Sequence, residues 1–402
     1  MHIALFTPGW PIETYQNGIV TYVHWMKPEL ERLGHRVTLV TGATDALAGV
    51  AGVCQVRRTV WQRAVRKLAR SLRIKREFFE TGHVIGAAIR KAHRRDPIDL
   101  IEMEESFGWS ADVARVSKLP VLVKLHGPAF LSLIDEELTT AESQRRIEQE
   151  GWSLKQAHAI ASPCQVTLDQ TLERYALNPE IRAQVANPLA LEEANPQWQL
   201  GACDASTILF VGRFDKRKGA DVVLQAFKIL LKGRPNLKLI FVGPDNGLTQ
   251  SDGSRLGFEA FCNSLFDDDE RTRIEYRGRM ANRDIVDLRI RAMVTVVASR
   301  WENPGYTALE AMYQACPVVC SDAGGCAEII DDGRTGLLAR SEHPADFAMK
   351  IAVMLDNPQA AQAMGRAARE YVIRTHSASK VAADSLALYE QLIAHHRAAK
   401  VW

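Results

Sequence analysis

Glu302 and Glu310 are the residues of this 402-residue chain whose type and spacing most directly offer chemistry. Seven residues separate them in the stretch ENPGYTALEAM. Glu302 lies in a loop after a β-branched run at 294–298. Pro304 and Gly305 then open a helical pattern with Ala308, Leu309, Met312 and Tyr313 at core spacing. A carboxylate in such a loop can accept hydrogen bonds from ligand hydroxyls, while a second, one to two turns inside the helix, reaches another part of the same ligand. Each also has a plainer reading. An acid at a helix start complements the dipole, and a mid-helix acid usually sits on a solvated face. Pro317 ends the helix before a buried-strand run at 318–320. The resulting strand, loop, helix and strand place the loop where α/β sheets bind ligands and free amides attract anions.

Three further groups carry chemistry. Arg213, Lys216, Arg217 and Lys218 follow a strand at 207–211 and Gly212, ahead of Gly219 and a helix. Fixed positive charges there suit a diphosphate group, most of all one whose charge grows as it leaves; surface solubility is the rival account. His126 and Gly127 end a buried strand at 121–125, a cleft position unless the imidazole is only structural. Glu102, Glu104 and Glu105 follow the start of a strand at 99–101. One of them could help remove a hydroxyl proton; three neighbouring acids otherwise mark a wet loop rim.

The elements that must position these groups read as α/β. A strand at 2–6, the loop TPGWPIETYQNG, a helix at 19–33 and a strand at 37–40 form a Rossmann-like opening. It lacks GxGxxG, which argues against a dinucleotide cofactor. Residues 178–203 hold Pro179, Pro188 and Pro196 without periodicity and read as an interdomain linker. Strands at 207–211, 237–242 and 274–276 begin a second such half, and amphipathic helices fill 343–399. The length itself implies two domains.

Hydrophobic content of 47% and charged content of 24% are those of a globular protein. A net charge of +2 excludes a uniformly basic nucleic-acid binder but not a local patch. Such a patch exists: residues 57–95 carry thirteen Lys or Arg against Glu77 and Glu80, interleaved with apolar residues. An amphipathic helix there would rest its basic face on an anionic membrane or on acceptor phosphates, or simply be solvated. Seven cysteines without a CxxC pair read as reduced packing residues in a cytoplasm, and Cys316, Cys320 and Cys326 are too widely spaced, without His partners, to expect a metal. No leader and no run near ~18 apolar residues is seen, so the expected place is cytoplasmic, with a peripheral position on the inner face of the plasma membrane through 57–95.

ENPGYTALEAM followed by PVVCSDAGGCAEIIDDGRTGLL resembles the signature of the retaining family 4 glycosyltransferases, which have the GT-B fold, and NGIVTYVHWMKPELERLGHRVTLVT matches the same family. The resemblance implies two Rossmann-like domains facing a cleft. Residues 1–190 would bind the acceptor, with 378–402 packing back on them, and 191–377 would bind the nucleotide sugar. It implies that Glu302 holds donor-sugar hydroxyls, Glu310 the ribose, Arg213 and Lys218 the diphosphate, and the backbone of Gly278, Arg279 and Met280 the base. It places His126 on the transferred sugar, Gly18 near the donor phosphates, and Glu102, Glu104 and Glu105 toward the acceptor. Asn303, Pro304, Gly305 and Tyr306 stand where the family usually has Pro-Phe-Gly and an aliphatic residue, so Tyr306 bears on the donor sugar. The implied reaction moves a hexose from a UDP or GDP sugar to a glycan, lipid-linked or small-molecule acceptor in bacterial polysaccharide or glycolipid synthesis, by front-face attack, without a metal or other cofactor. A nucleotide-sugar epimerase of the same fold and a non-catalytic nucleotide-sugar binder are the rival readings.

Overall fold

The computed structural model describes residues 1–15, 17–42, 47, 49–57, 81–133, 135–191, 196–250 and 253–399. The expected basic amphipathic helix at 57–95 thus falls largely outside the described residues. The chain divides into two compact units, Met1–Ala190 with Ala378–Trp402, and Leu191–Ser377.

The first unit is built on a seven-stranded parallel sheet of β1 (His2–Phe6), β2 (Arg36–Gly42), β3 (Val53–Val56), β4 (Leu100–Glu104), β5 (Val121–Lys124), β6 (Ala159–Ser162) and β7 (Arg182–Gln184), in the order β3-β2-β1-β4-β5-β6-β7. Every residue of β1, β4, β5 and β6 is buried, because helices cover both faces. Alternate residues divide between the faces. Ile3, Leu5, Leu100 and Leu122 pack with Met26 of the helix Gly18–Arg32 and with Tyr389 and Leu392 of the C-terminal helix Ala378–Ala398. Ala4, Phe6, Ile101 and Val123 pack instead with Ile85, Ile89 and Val113. The last helix therefore belongs to the first unit. Asn17 starts the first helix by accepting from the Val20 N–H at 2.9 Å.

Two edge strands escape the sequence pattern. β7 lies inside the stretch expected to be linker; its three residues leave Arg182 and Gln184 exposed, so no hydrophobic run announces it. β3 is likewise short and only half-buried.

The second unit holds β8 (Asp204–Val211), β9 (Lys238–Val242), a small hairpin of β10 (Leu248–Thr249) and β11 (Arg255–Leu256), β12 (Ile274–Gly278), β13 (Ala292–Val297), β14 (Val318–Ser321) and β15 (Leu337–Ala339). Its parallel sheet runs β12-β9-β8-β13-β14-β15. In each sheet the strand order reverses at the centre, between β1 and β4 and between β8 and β13. Connections diverge to opposite faces there, which opens a crevice at the carboxyl ends of the strands.

Candidate active site

In the second unit the two loops at that reversal carry the expected charges. Residues 212–219 follow β8 and residues 298–305 follow β13. The loops are forced together at Gly219, whose φ is +67° and where an added Cβ would stand 1.9 Å from the Ala298 carbonyl oxygen. The Lys218 ammonium consequently meets the Glu302 carboxylate directly at Oε1, and the Ser299 hydroxyl donates to the same oxygen at 2.7 Å. Burial would raise the Glu302 carboxyl, but Lys218, Arg217 and Ser299 outweigh it and hold it below the usual carboxylate range. Gly305 is required by this carboxylate, since a Cβ there would lie 2.5 Å from Glu302 Oε2. From the other side the Gly325 N–H donates to the Glu302 carbonyl at 2.7 Å.

The cationic loop is itself braced. Arg300 grips Asp221 with two nitrogens, at 2.9 and 2.8 Å, and its N–H donates to the Arg217 carbonyl at 2.9 Å. Asp215 accepts from Arg213 Nε at 2.5 Å and from the Lys218 N–H at 2.9 Å. Arg213 is partly exposed, so its guanidinium can exchange this partner for a ligand.

Glu310 lies on the helix Tyr306–Tyr313 and accepts from Arg289 at 2.9 Å. Arg289 is 1% exposed and donates at 2.7 Å to Gln314 as well, whereas the Glu310 side chain retains 34% of its surface. The buried arginine thus fixes one carboxylate oxygen and leaves the acid facing outward. The Tyr306 hydroxyl is buried without a hydrogen-bond partner among the described residues, and burial, then Glu310, push its pKa up. Asn303 and Pro304 are buried at the start of this helix. At the end of β12, Gly278 has φ +58° and an open side, Arg279 is exposed, and Met280 packs its side chain against the Leu209, Val242 and Ala292 cluster.

In the first unit His126 ends β5, with its ring 5.0 Å from that of Tyr22. Burial, then Lys124, lower its pKa to about 3, so the imidazole is neutral at ordinary pH. Gly18 is exposed at the first helix turn, and an added Cβ would meet nothing within 4 Å. The fold does not demand a glycine there; the position is simply open. The three acids do not form a wet rim: Glu102, Glu104 and Glu105 are 3%, 2% and 1% exposed. Glu102 accepts from the Tyr389 hydroxyl at 2.6 Å. Glu105 accepts from the His126 and Gly127 N–H groups at 2.9 and 2.7 Å. Glu104 keeps one carboxylate oxygen buried and unpartnered among the described residues, and burial, then the neighbouring Glu105, raise it to about 8. Sequence spacing brings the three together in the chain, but only Glu104 is left without a structural task.

Two family profiles match this chain: Glycosyl transferases group 1 over residues 197–371 and Glycosyl transferase 4-like domain over residues 17–188. The chain belongs to the group 1 glycosyltransferases. It is 28% identical over 330 residues to a D-inositol 3-phosphate glycosyltransferase of Paenarthrobacter aurescens, covering 75% of this chain and 78% of that protein. A second D-inositol 3-phosphate glycosyltransferase, from Pseudarthrobacter chlorophenolicus, is 26% identical and covers 94% and 91%. Among solved structures, sucrose-phosphate synthase of Thermosynechococcus elongatus superposes with a TM-score of 0.74 at 20% identity, covering 98% of this chain and 99% of that one. Anabaena Alr3699/HepE in complex with UDP-glucose gives 0.68 at 15% identity, covering 98% and 99%. These two likenesses are of fold, and they make the architecture of this glycosyltransferase GT-B.

Several residues that hold these side chains in place go unmarked by motif reading. Arg289 was detectable: it stands four residues after Ile285, on the core-facing side of the helix Asn282–Arg291, where a charge needs a buried partner. Glu150 likewise interrupts the buried stripe of Ile147, Gly151 and Leu154. Arg300 carries no comparable signal, since its partner Asp221 is 79 residues away, and Ser299, although only three residues before Glu302, is an ordinary loop serine in the linear pattern.

Proposed function

We propose that this glycosyltransferase moves a hexose from a UDP or GDP sugar to a hydroxyl of a glycan, lipid-linked or small-molecule acceptor, with retention and without a metal. The observation that carries the reading is the Lys218–Glu302 pair, held by Ser299 and backed by Arg217, where the loops after β8 and β13 converge. A diphosphate entering this loop would draw Lys218 and Arg213 toward its oxygens and free Glu302 to accept from sugar hydroxyls. Glu310, oriented by Arg289, takes the ribose hydroxyls. The backbone of Gly278, Arg279 and Met280 takes the base, and Asn303, Pro304, Gly305 and Tyr306 line the sugar subsite. The first unit supplies Gly18 and His126; a neutral imidazole can accept from or donate to a sugar hydroxyl without adding charge. Glu104, with a free carboxylate oxygen, is the acceptor-side acid of the three. The leaving diphosphate takes the acceptor proton as the new glycosidic bond forms on the face from which it departs.

The UDP-glucose complex of Anabaena Alr3699/HepE supports a nucleotide-sugar donor for this fold. A role in bacterial polysaccharide or glycolipid synthesis follows from the acceptor classes named. The test is a melting-temperature screen with UDP-glucose and GDP-mannose. One donor class should raise the melting temperature of the wild type by mass action, and Lys218→Ala should abolish the rise. A variant that shifts as far as its parent overturns the phosphate assignment.

A further inference from the structure

Glu105 and Glu150 are buried together at the carboxyl end of the first sheet, and neither presents a free oxygen to a substrate. Glu105 Oε2 accepts from the His126 N–H at 2.9 Å and Oε1 from the Gly127 N–H at 2.7 Å. Glu150 is fully buried and accepts from the Ala129 N–H at 2.7 Å, the Phe107 N–H at 3.3 Å and Arg146 Nε at 2.8 Å. Two carboxylates therefore tie three segments of the rim: the turn Ser106–Gly108 after β4, the loop after β5, and the helix Ala141–Leu154. Phe107 is held at φ +61° in the process, a conformation that bulky residues avoid unless their surroundings impose it.

We propose that Glu105 is the positioning residue for His126: its carboxylate clamps the two successive amides from which the imidazole is presented. A carboxylate only accepts, so both oxygens can face N–H groups; a carboxylic acid turns one oxygen into a donor, and one amide then loses its partner. The clamp is consequently tied to the ionisation of Glu105. Burial, then the charge of Glu150, raise Glu105 to about 7, against the two amide bonds that lower it. The charged and titratable groups facing it are Glu104 from its own segment, Glu150 and Arg146 from the helix Ala141–Leu154, Tyr175 from the helix Gln165–Tyr175, and His126 itself, which stays neutral. The amide bonds hold Glu105 lower than burial alone would, so falling pH should open them near neutrality while the side chain stays buried; burial raises Glu150 too, against Arg146 and the Ala129 and Phe107 amides, which keep it partnered.

The functional meaning of this clamp rests on His126 contacting the transferred sugar, but its test does not. Amide hydrogen exchange of the segment around residues 125–129, corrected for intrinsic rates, is followed between pH of about 5.5 and about 8 in the full chain. Wild-type protection should fall roughly tenfold toward the acid end, the loss of one hydrogen bond to a charged acceptor. Glu105→Gln should give low protection that no longer varies with pH. Glu150→Gln should move the midpoint to lower pH, because removing a like charge eases ionisation of Glu105; a merely structural acid would not do this. Flat wild-type protection, or a midpoint in Glu150→Gln that stays or rises, overturns the proposal, and these two proteins decide it even if Glu105→Gln does not fold. His126→Ala with undiminished UDP-glucose turnover would remove the sugar contact while leaving the exchange result standing.

Discussion

The two sheets present the same topological feature, a central reversal of strand order, and dress it in opposite ways. In the second unit each acid at the reversal meets a cation: Glu302 with Lys218, Glu310 with Arg289, and Asp221 with Arg300. In the first unit the acids lean on neutral donors or none: Glu102 on a tyrosine hydroxyl and Glu105 on two amides, while Glu104 Oε2 has no partner among the described residues. Lys124 is near, but its buried ammonium donates to the Val185 carbonyl. The difference matches the roles proposed for the two surfaces, a diphosphate at one and an uncharged hydroxyl at the other. A diphosphate brings charge that must be met by cations already in place, and their ion pairs with acids keep those cations ordered until it arrives. A hydroxyl acceptor brings none, so polar groups near their neutral state suffice.

The sharpest way to break this comparison is at Lys218. If the pairs of the second unit are ligand sites in waiting, Lys218→Ala should lower kcat/KM with a nucleotide sugar by about 10²–10³-fold while the fold persists. A structural salt bridge would instead show its loss in melting temperature and leave turnover intact. Arg289 comes next. Arg289→Met should destabilise by about 2 kcal/mol, less than for a fully buried pair because Glu310 is partly open to water. It should also erase the preference for ribose over 2′-deoxyribose in the nucleoside diphosphate that inhibits the enzyme. Retained discrimination would mean that Glu310 needs no support from beneath.

How far sequence alone carries follows the same division. The second unit was legible because β13 and β14 are buried throughout, β8 and β9 have apolar centres, and the charges sit in loops directly after β8 and β13. Thus Arg213, Lys218, Glu302 and Glu310 all fall where a β-α-β reading puts a ligand. The first unit's sheet was legible at β1, β5 and β6 for the same reason, and at β4 only in its first residues, since Glu102 and Glu104 lie within that strand. What stayed hidden depends on contacts between residues far apart in the chain. β7 has no apolar pattern and exists only because β6 offers it an edge. Glu102 is buried beneath Tyr389, whose sequence separation is 287. Arg289 could be flagged as a charge on a core face, but nothing in a linear pattern names Glu310 as its partner.

A smaller effect probes the neutral donors of the first unit. Tyr389→Phe leaves Glu102 without its hydroxyl and should cost about 1–2 kcal/mol in denaturant unfolding, with unchanged m-value. Because this contact fastens the C-terminal helix, exchange protection along Ala378–Ala398 should fall before that of β4. No loss of stability would show that water replaces the phenol and that Glu102 is less enclosed than its 3% exposure implies.

A last effect has the opposite sign, and it separates function from packing most cleanly. The folded-state pKa of Glu104 is raised to about 8, so the stability it contributes is complete below its unfolded value near 4.5 and is lost as pH rises through 8. Glu104→Gln cannot ionise. It should match the wild type near pH of about 4 and exceed it increasingly as pH rises toward 8, read as melting temperature against pH. An acid that destabilises its own protein at the pH where it works is explained if the site needs it, since strain of this kind persists where it serves a reaction. The same variant should therefore be more stable and slower in sugar transfer. A Glu104→Gln protein that gains stability and keeps full turnover would remove Glu104 from the acceptor site.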